Sequence, residues 1–255
     1  MTDPAMKLIT NEKLLPFWEK VTWSAVENAV MFDEVDLDSL SDEEVVLEAL
    51  SLHLDYLDID PGEELDVSKK TEKASQVQWS SNHEQDLKSQ GDKFLGEGKH
   101  EFAILFYATW IEHWLNRIIL LRATGKGMHP ELATALIRSS RIELKMGRIW
   151  TSLGNRSFPK ELARQVTRVM ESRNAFVHYK WPSEDDETHS ESINRTKLEA
   201  QKAQQTITDL IELEDSIFYK GRSKAIREAF RKGWYERRRE TLNQATSSGA
   251  EQAND

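Results

Sequence analysis

The sequence predicts an all-α protein: an antiparallel bundle of four to five helices with an acidic helical extension at its N-terminus. Three observations predict it. Apolar residues recur at three- and four-residue intervals over most of residues 82–220, strand-type alternation is almost absent, and prolines stand where helices should begin. At 255 residues the chain can bury one good core, or one core and a smaller appended unit.

The first helix expected is PFWEKVTWSAVENAVMF, with Pro16 suited to the first turn and Phe17, Val21, Ala25 and Phe32 near one stripe. A second starts at Ser41, where Glu44 closes an S-x-x-E capping box ahead of VVLEALSLHLDYL. Residues 58–80 have no sustained period and read as a linker. Residues 1–80 therefore form an acidic accessory region.

Residues 81–240 read as the bundle. HEQDLKSQGDKFLGEGK is a helix with glycine punctuation, and HEFAILFYATWIEHWLNRIILLRATGKG follows. Phe102, Leu105, Phe106, Trp110, Trp114 and Ile118 keep its helical period. This run is apolar on much more than one face, as the central helix of a bundle is. HPELATALIRSS carries Pro130 at its start, RIELKMGRIWTSLG comes next, and FPKELARQVTRVMESRNAFVHYK places a proline just inside another helix. Pro182 and the acidic SEDDE stretch end that segment. A long amphipathic helix follows in ESINRTKLEAQKAQQTITDLIELEDSIFYK. AIREAFRKGWYERRRE extends it past Gly221 and Gly233, and residues 241–255 are a frayed tail. The tryptophans Trp18, Trp23, Trp110, Trp114 and Trp150 are expected in cores. RKGWYERRRE mixes Arg with Trp and Tyr, a composition that serves a solvated terminal helix or stacks on single-stranded RNA.

Composition narrows the classes. Without cysteine there are no disulfides or thiolate metal sites, and a reducing cytoplasm is the natural setting. The N-terminus has no uninterrupted apolar segment and no later stretch is apolar for membrane-spanning length, so no membrane association is expected. The net charge of −10 is uneven: residues 1–100 hold 9 Lys and Arg against 23 Asp and Glu, and the rest hold 25 against 21. An acidic segment is joined to a mildly basic one, which suits a solvated surface or an arm that imitates or shields a nucleic-acid surface. No phosphate-binding glycine loop, dinucleotide fingerprint, zinc-protease helix or nucleophile elbow is present, so no cofactor and no metal are expected.

One stretch carries chemistry. ESRNAFVHYKWP sets Arg173, then Asn174, and after four intervening residues His178, on a late helix of the bundle. The central helix bears Glu112 in YATWIEHWLN. Arginine, a polar residue directly after it, and histidine at this interval resemble the signature of the HEPN superfamily. These are small helical bundles that include many metal-independent ribonucleases, whose motif allows four to six residues between the two. The resemblance covers about residues 82–220. Arg122 and His129 also satisfy the spacing, but the interval ATGKGM contains two glycines and no polar partner follows the arginine.

The resemblance implies an endoribonuclease that cuts RNA, with tRNA a candidate substrate, through the RNA's own 2′-OH, as a toxin or an effector of antiviral defence. It assigns Arg173, Asn174 and His178 as catalytic. A histidine moves the proton, a planar guanidinium holds the charge that accumulates on phosphorus, and Asn174 orients the phosphate or the imidazole. Glu112 supports by holding Arg173, while Tyr179 and Lys180 contact the substrate. A homodimer with two such helices facing one cleft is implied, with an antitoxin or defence-system protein as a further partner. In one toxin subclass a tyrosine stands two residues after the histidine. Here Lys180 holds that position and Tyr179 is adjacent, so that subclass's tyrosine modification is not expected.

At about 100° per residue a five-residue step turns roughly 140°, so an unbroken helix would point Arg173 and His178 apart. Pro182 is expected to end the helix near His178 and let the backbone turn the imidazole toward the arginine; a helix C-terminus also favours the protonated ring. The same residues have a plainer reading. Arg173 is then a solvated helix residue, Asn174 and His178 are helix-end groups, Phe176, Val177 and Trp181 are core, and Glu112 is buried against an arginine for structure alone. On that reading the protein is a catalytically inactive adaptor or dimerisation module that binds a partner through its acidic region. A third arrangement joins the two: residues 1–80 cover the basic half and hold the nuclease inactive.

Overall fold

The computed structural model describes residues 15–56, 83–178 and 189–232, with the backbone alone for 15–22, 53–56 and 189–190. The described residues are helical without a strand. The chain divides into two compact units, residues 81–217 and residues 1–80 together with 218–255.

In the larger unit, α3 (Glu84–Gly96) and α4 (His100–Gly125) form a helical hairpin. Gly98 makes its turn at φ 73°, a value glycine adopts without steric cost. The two helices are antiparallel: Phe94 meets Phe102 and Phe106, Asp92 meets Tyr107, and Glu84 meets Arg117. Gly91 makes room for Tyr107 between them, since a Cβ there would stand 2.4 Å from the Tyr107 ring. Tyr107, Gln204 and Lys88 all donate to the Asp92 carboxylate, at 2.8, 2.8 and 2.7 Å. Burial raises the Asp92 carboxyl, yet these three hydrogen bonds outweigh burial and hold it below the usual carboxylate range.

Around α4 stand α5 (Pro130–Ser139), α6, α7 (Lys160–Val177) and α8 (His189–Phe218). Helix α6 is Ile142–Leu144, a π-helical stretch Lys145–Ile149 and Trp150–Ser152. Buried residues appear on α4 at Ile104, Tyr107, Trp110, Ile111, Trp114, Leu115, Ile118 and Ile119, which makes it the central helix. Phe102 falls outside that set and is 47% exposed. Trp110, Trp114, Trp150 and Phe158 form a continuous buried aromatic run with centroids 6.3, 6.2 and 5.1 Å apart. These tryptophans are core. Pro130 opens α5 as expected, whereas Pro159 caps α7 from just outside, with Lys160 the first helical residue.

The smaller unit holds α1 (Leu15–Met31), α2 (Asp42–Tyr56) and α9 (Ser223–Ala229). The capping box is present: Glu44 N–H donates to Ser41 Oγ at 3.3 Å and Ser41 N–H to Glu44 Oε2 at 2.8 Å. Val26, Val30, Val45, Val46 and Ala49 share this core with Ile226 and Phe230. Residues 218–232 therefore group with α1 and α2, which differs from a bundle continuing to residue 240. The cause is local: Lys220 at φ 54° and Gly221 at φ 78° stop α8. Arg222 then donates to the Leu37 and Leu40 carbonyls and to Asp42, binding the chain to the α1–α2 loop. The Arg227 guanidinium lies 4.1 Å from the centroid of the Trp23 ring. The segment from Gly233 onward, with most of RKGWYERRRE and the tail, lies outside the described residues, as do residues 58–80.

Candidate functional site

Helix α7 buries Leu162, Val166, Val169 and Met170, a stripe at three- and four-residue steps that faces the core. Arg173 occupies the next position of that stripe. It is half-buried, and its Nη2 donates to Glu112 Oε1 of α4 at 2.7 Å and lies 3.8 Å from Met170 Sδ. Its Nε is buried without a hydrogen-bond partner among the described residues. The plainer sequence reading of Arg173 as a solvated residue does not describe this position.

Asn174 and His178 lie off the stripe, one turn apart, and both are exposed. His178 is the residue that closes α7, at φ −100° and ψ 12°, and its N–H still donates to the Asn174 carbonyl at 3.0 Å. Its side chain therefore leaves the helix at about the azimuth of an unbroken helix, roughly 140° from Arg173. The helix ends where Pro182 led one to expect. The backbone does not swing the imidazole toward the arginine, because the His178 N–H still bonds back into the helix. The structure thus brings together Arg173 with Glu112, and Asn174 with His178 on one exposed face, with the two pairs on neighbouring sides of α7. Tyr179 and Lys180 lie outside the described residues.

The sequence reading missed two residues of the cluster. Asn116 stands one turn after Glu112 on α4, and its Oδ1 accepts from Lys145 Nζ at 2.7 Å. Lys145, the first residue of the π-helical stretch, is 8% exposed. Burial pushes its ammonium below the usual lysine range, opposed by the negative charge of Glu112. A signal exists in the sequence: Ile142, Lys145, Met146, Ile149 and Trp150 form an apolar stripe at helical spacing, and the lysine interrupts it. Three helices thus deliver two cations, one carboxylate and one amide to a single polar cluster.

The other Arg/His match differs. Arg122 is buried at the end of α4, His129 precedes Pro130, and Gly127 at φ 83° breaks the interval between them. Among the described residues no three His, Asp or Glu side chains gather as a metal-binding group, and no helix is long and apolar enough to cross a membrane. Comparison with protein-family models, curated proteins and solved structures finds no match for the chain.

Proposed function

We propose that the protein is a HEPN-type, metal-independent endoribonuclease that acts as a toxin or defence effector. One observation carries the reading. An arginine on the inward stripe of α7 is tethered by Glu112 of the central helix, and Asn174 and His178 stand exposed on the adjoining side of the same helix at its end. This gives a fixed cation and an accessible proton-transfer group within five residues of one helix, on neighbouring sides of it.

In the reaction, the RNA 2′-oxygen forms a bond to phosphorus as its proton leaves, and the bond from phosphorus to the 5′-oxygen breaks as that oxygen gains a proton. The products are a 2′,3′-cyclic phosphate and a 5′-hydroxyl. His178 moves one of the two protons, and in the homodimer implied by the resemblance the second copy supplies the other. Arg173 stabilises the charge on the phosphorane oxygens and Asn174 orients the phosphate. Glu112 keeps the guanidinium from swinging free.

Full-length protein incubated with tRNA in EDTA tests this. Wild type is expected to generate cyclic-phosphate ends, and Arg173→Ala and His178→Ala each to lower the rate by about 10²-fold or more. Undiminished cleavage by both variants would remove the assignment. A wild type that neither cuts RNA nor harms cells points to the inactive adaptor, whose partner the acidic accessory region 1–80 would bind.

A further inference from the structure

We propose that Lys145 is the second cation of an oxyanion-binding site whose first is Arg173, and that this site takes a phosphoryl group. On the ribonuclease reading, on which the choice of ligand rests, that group is the phosphodiester of RNA.

The scaffold is α4. Glu112 holds Arg173 and Asn116 holds Lys145, each at 2.7 Å, and the two holders are one turn apart. Side chains so spaced have Cβ atoms about 5–6 Å apart, so the two held cations belong to neighbouring positions on one face of α4. The charges are unbalanced, since two cations meet one carboxylate and one neutral amide. Donors are also left over. The Lys145 ammonium has three N–H groups, one of them accepted by Asn116, and Arg173 Nε has no partner among the described residues.

Such an arrangement is unfavourable by itself. A buried ammonium whose hydrogen bond goes to a neutral amide is poorly compensated for the water it has lost, and burial accordingly pushes it below the usual lysine range. An arriving oxyanion supplies the missing charge and accepts the free donors. The π-helical stretch that begins at Lys145 is itself a feature found frequently at functional sites.

The test follows the thermal midpoint of full-length protein as inorganic phosphate replaces chloride at constant ionic strength and pH. Wild type is expected to be stabilised. Lys145→Met is expected to raise the half-effect concentration about tenfold or abolish the response, as loss of one charged hydrogen bond does. Asn116→Asp keeps the shape of the site and gives Lys145 a carboxylate partner, so it is expected to weaken phosphate binding even if Lys145→Met folds poorly. In RNA cleavage, Lys145→Met is expected to raise KM by a similar factor.

A wild type indifferent to phosphate, or variants that respond as wild type does, overturns the proposal. A phosphate response that depends on Lys145 in a protein that cuts no RNA supports the anion site and sinks only the ribonuclease reading. Cleavage with KM unchanged in both variants does the reverse.

Discussion

Helix α4 carries two ionic sites on different sides, and they are built on opposite principles. At the first, Arg117 donates to Glu84 of α3 at 2.7 and 3.1 Å and to Glu214 of α8 at 2.9 to 3.1 Å, while Trp114 Nε1 donates to Glu214 at 2.6 Å. All three charged side chains are about 13% exposed, and two carboxylates meet one guanidinium. At the second, Arg173 pairs with the single carboxylate of Glu112 while Lys145 bonds to the neutral Asn116 amide, and Arg173 and Glu112 are 27% and 40% exposed. The first site saturates its arginine with acceptors and locks three helices together. The second holds cations in place while leaving donors free. A closed ion cluster reads as architecture, and the open cationic one is the site proposed above to take an anion.

The largest effect should come from Arg117→Met. It leaves Glu84 and Glu214 buried without their counter-charge, and removal of one partner from a buried pair costs about 3–5 kcal/mol. Urea denaturation measures this, and a loss below about 1 kcal/mol, the range of exposed pairs, would break the contrast between the sites. Arg173→Met should cost less than about 1 kcal/mol, because its pair is partly solvated. A loss comparable to that of Arg117→Met would mark Arg173 as structural.

The smallest effect concerns pH. Burial holds the Glu84 carboxyl above the usual range, against the pull of Arg117 and its hydrogen bonds. The folded state therefore favours the protonated form. The associated stability is present below the ordinary glutamate range and is lost as pH rises through the raised value. Glu84→Gln lacks this decline, so its stability relative to wild type should improve from acid toward neutral pH. Asp92 on the same helix has the opposite sign: its carboxyl is lowered, and its contribution disappears as pH falls. The two partly cancel in wild type, so the difference between variant and wild type across pH is the quantity to measure. A flat difference would show that Glu84 is better solvated than its 12% side-chain exposure implies.

Local features were legible in the sequence. The Ser41/Glu44 capping box closes within four residues, Pro130 opens its helix, and the many-sided apolarity of α4 made it central before its neighbours were known. Each depends on interactions between residues close in the chain, where helical spacing alone decides who meets whom. The end of α8 was harder to read. Gly221 was visible, but a glycine in a helical run does not announce a stop. The group that captures the following chain, Arg222 on the Leu37 and Leu40 carbonyls, reaches across more than 180 residues.

The same division applies to the candidate site. Arg173, Asn174, His178 and Glu112 were recognisable one by one from residue type, spacing and resemblance, while Lys145 and Asn116 were overlooked. By itself the sequence determined that the chain is helical, where most helices start, and which face of α7 is apolar, because these are matters of local period and capping. Only the tertiary structure decided that Arg173 meets Glu112, that the π-helical stretch brings Lys145 to Asn116, and that His178 stays on the helix's outer azimuth. Those outcomes depend on how helices cross and on how far the backbone hydrogen bonding of α7 runs, and neither is written in the spacing of one segment.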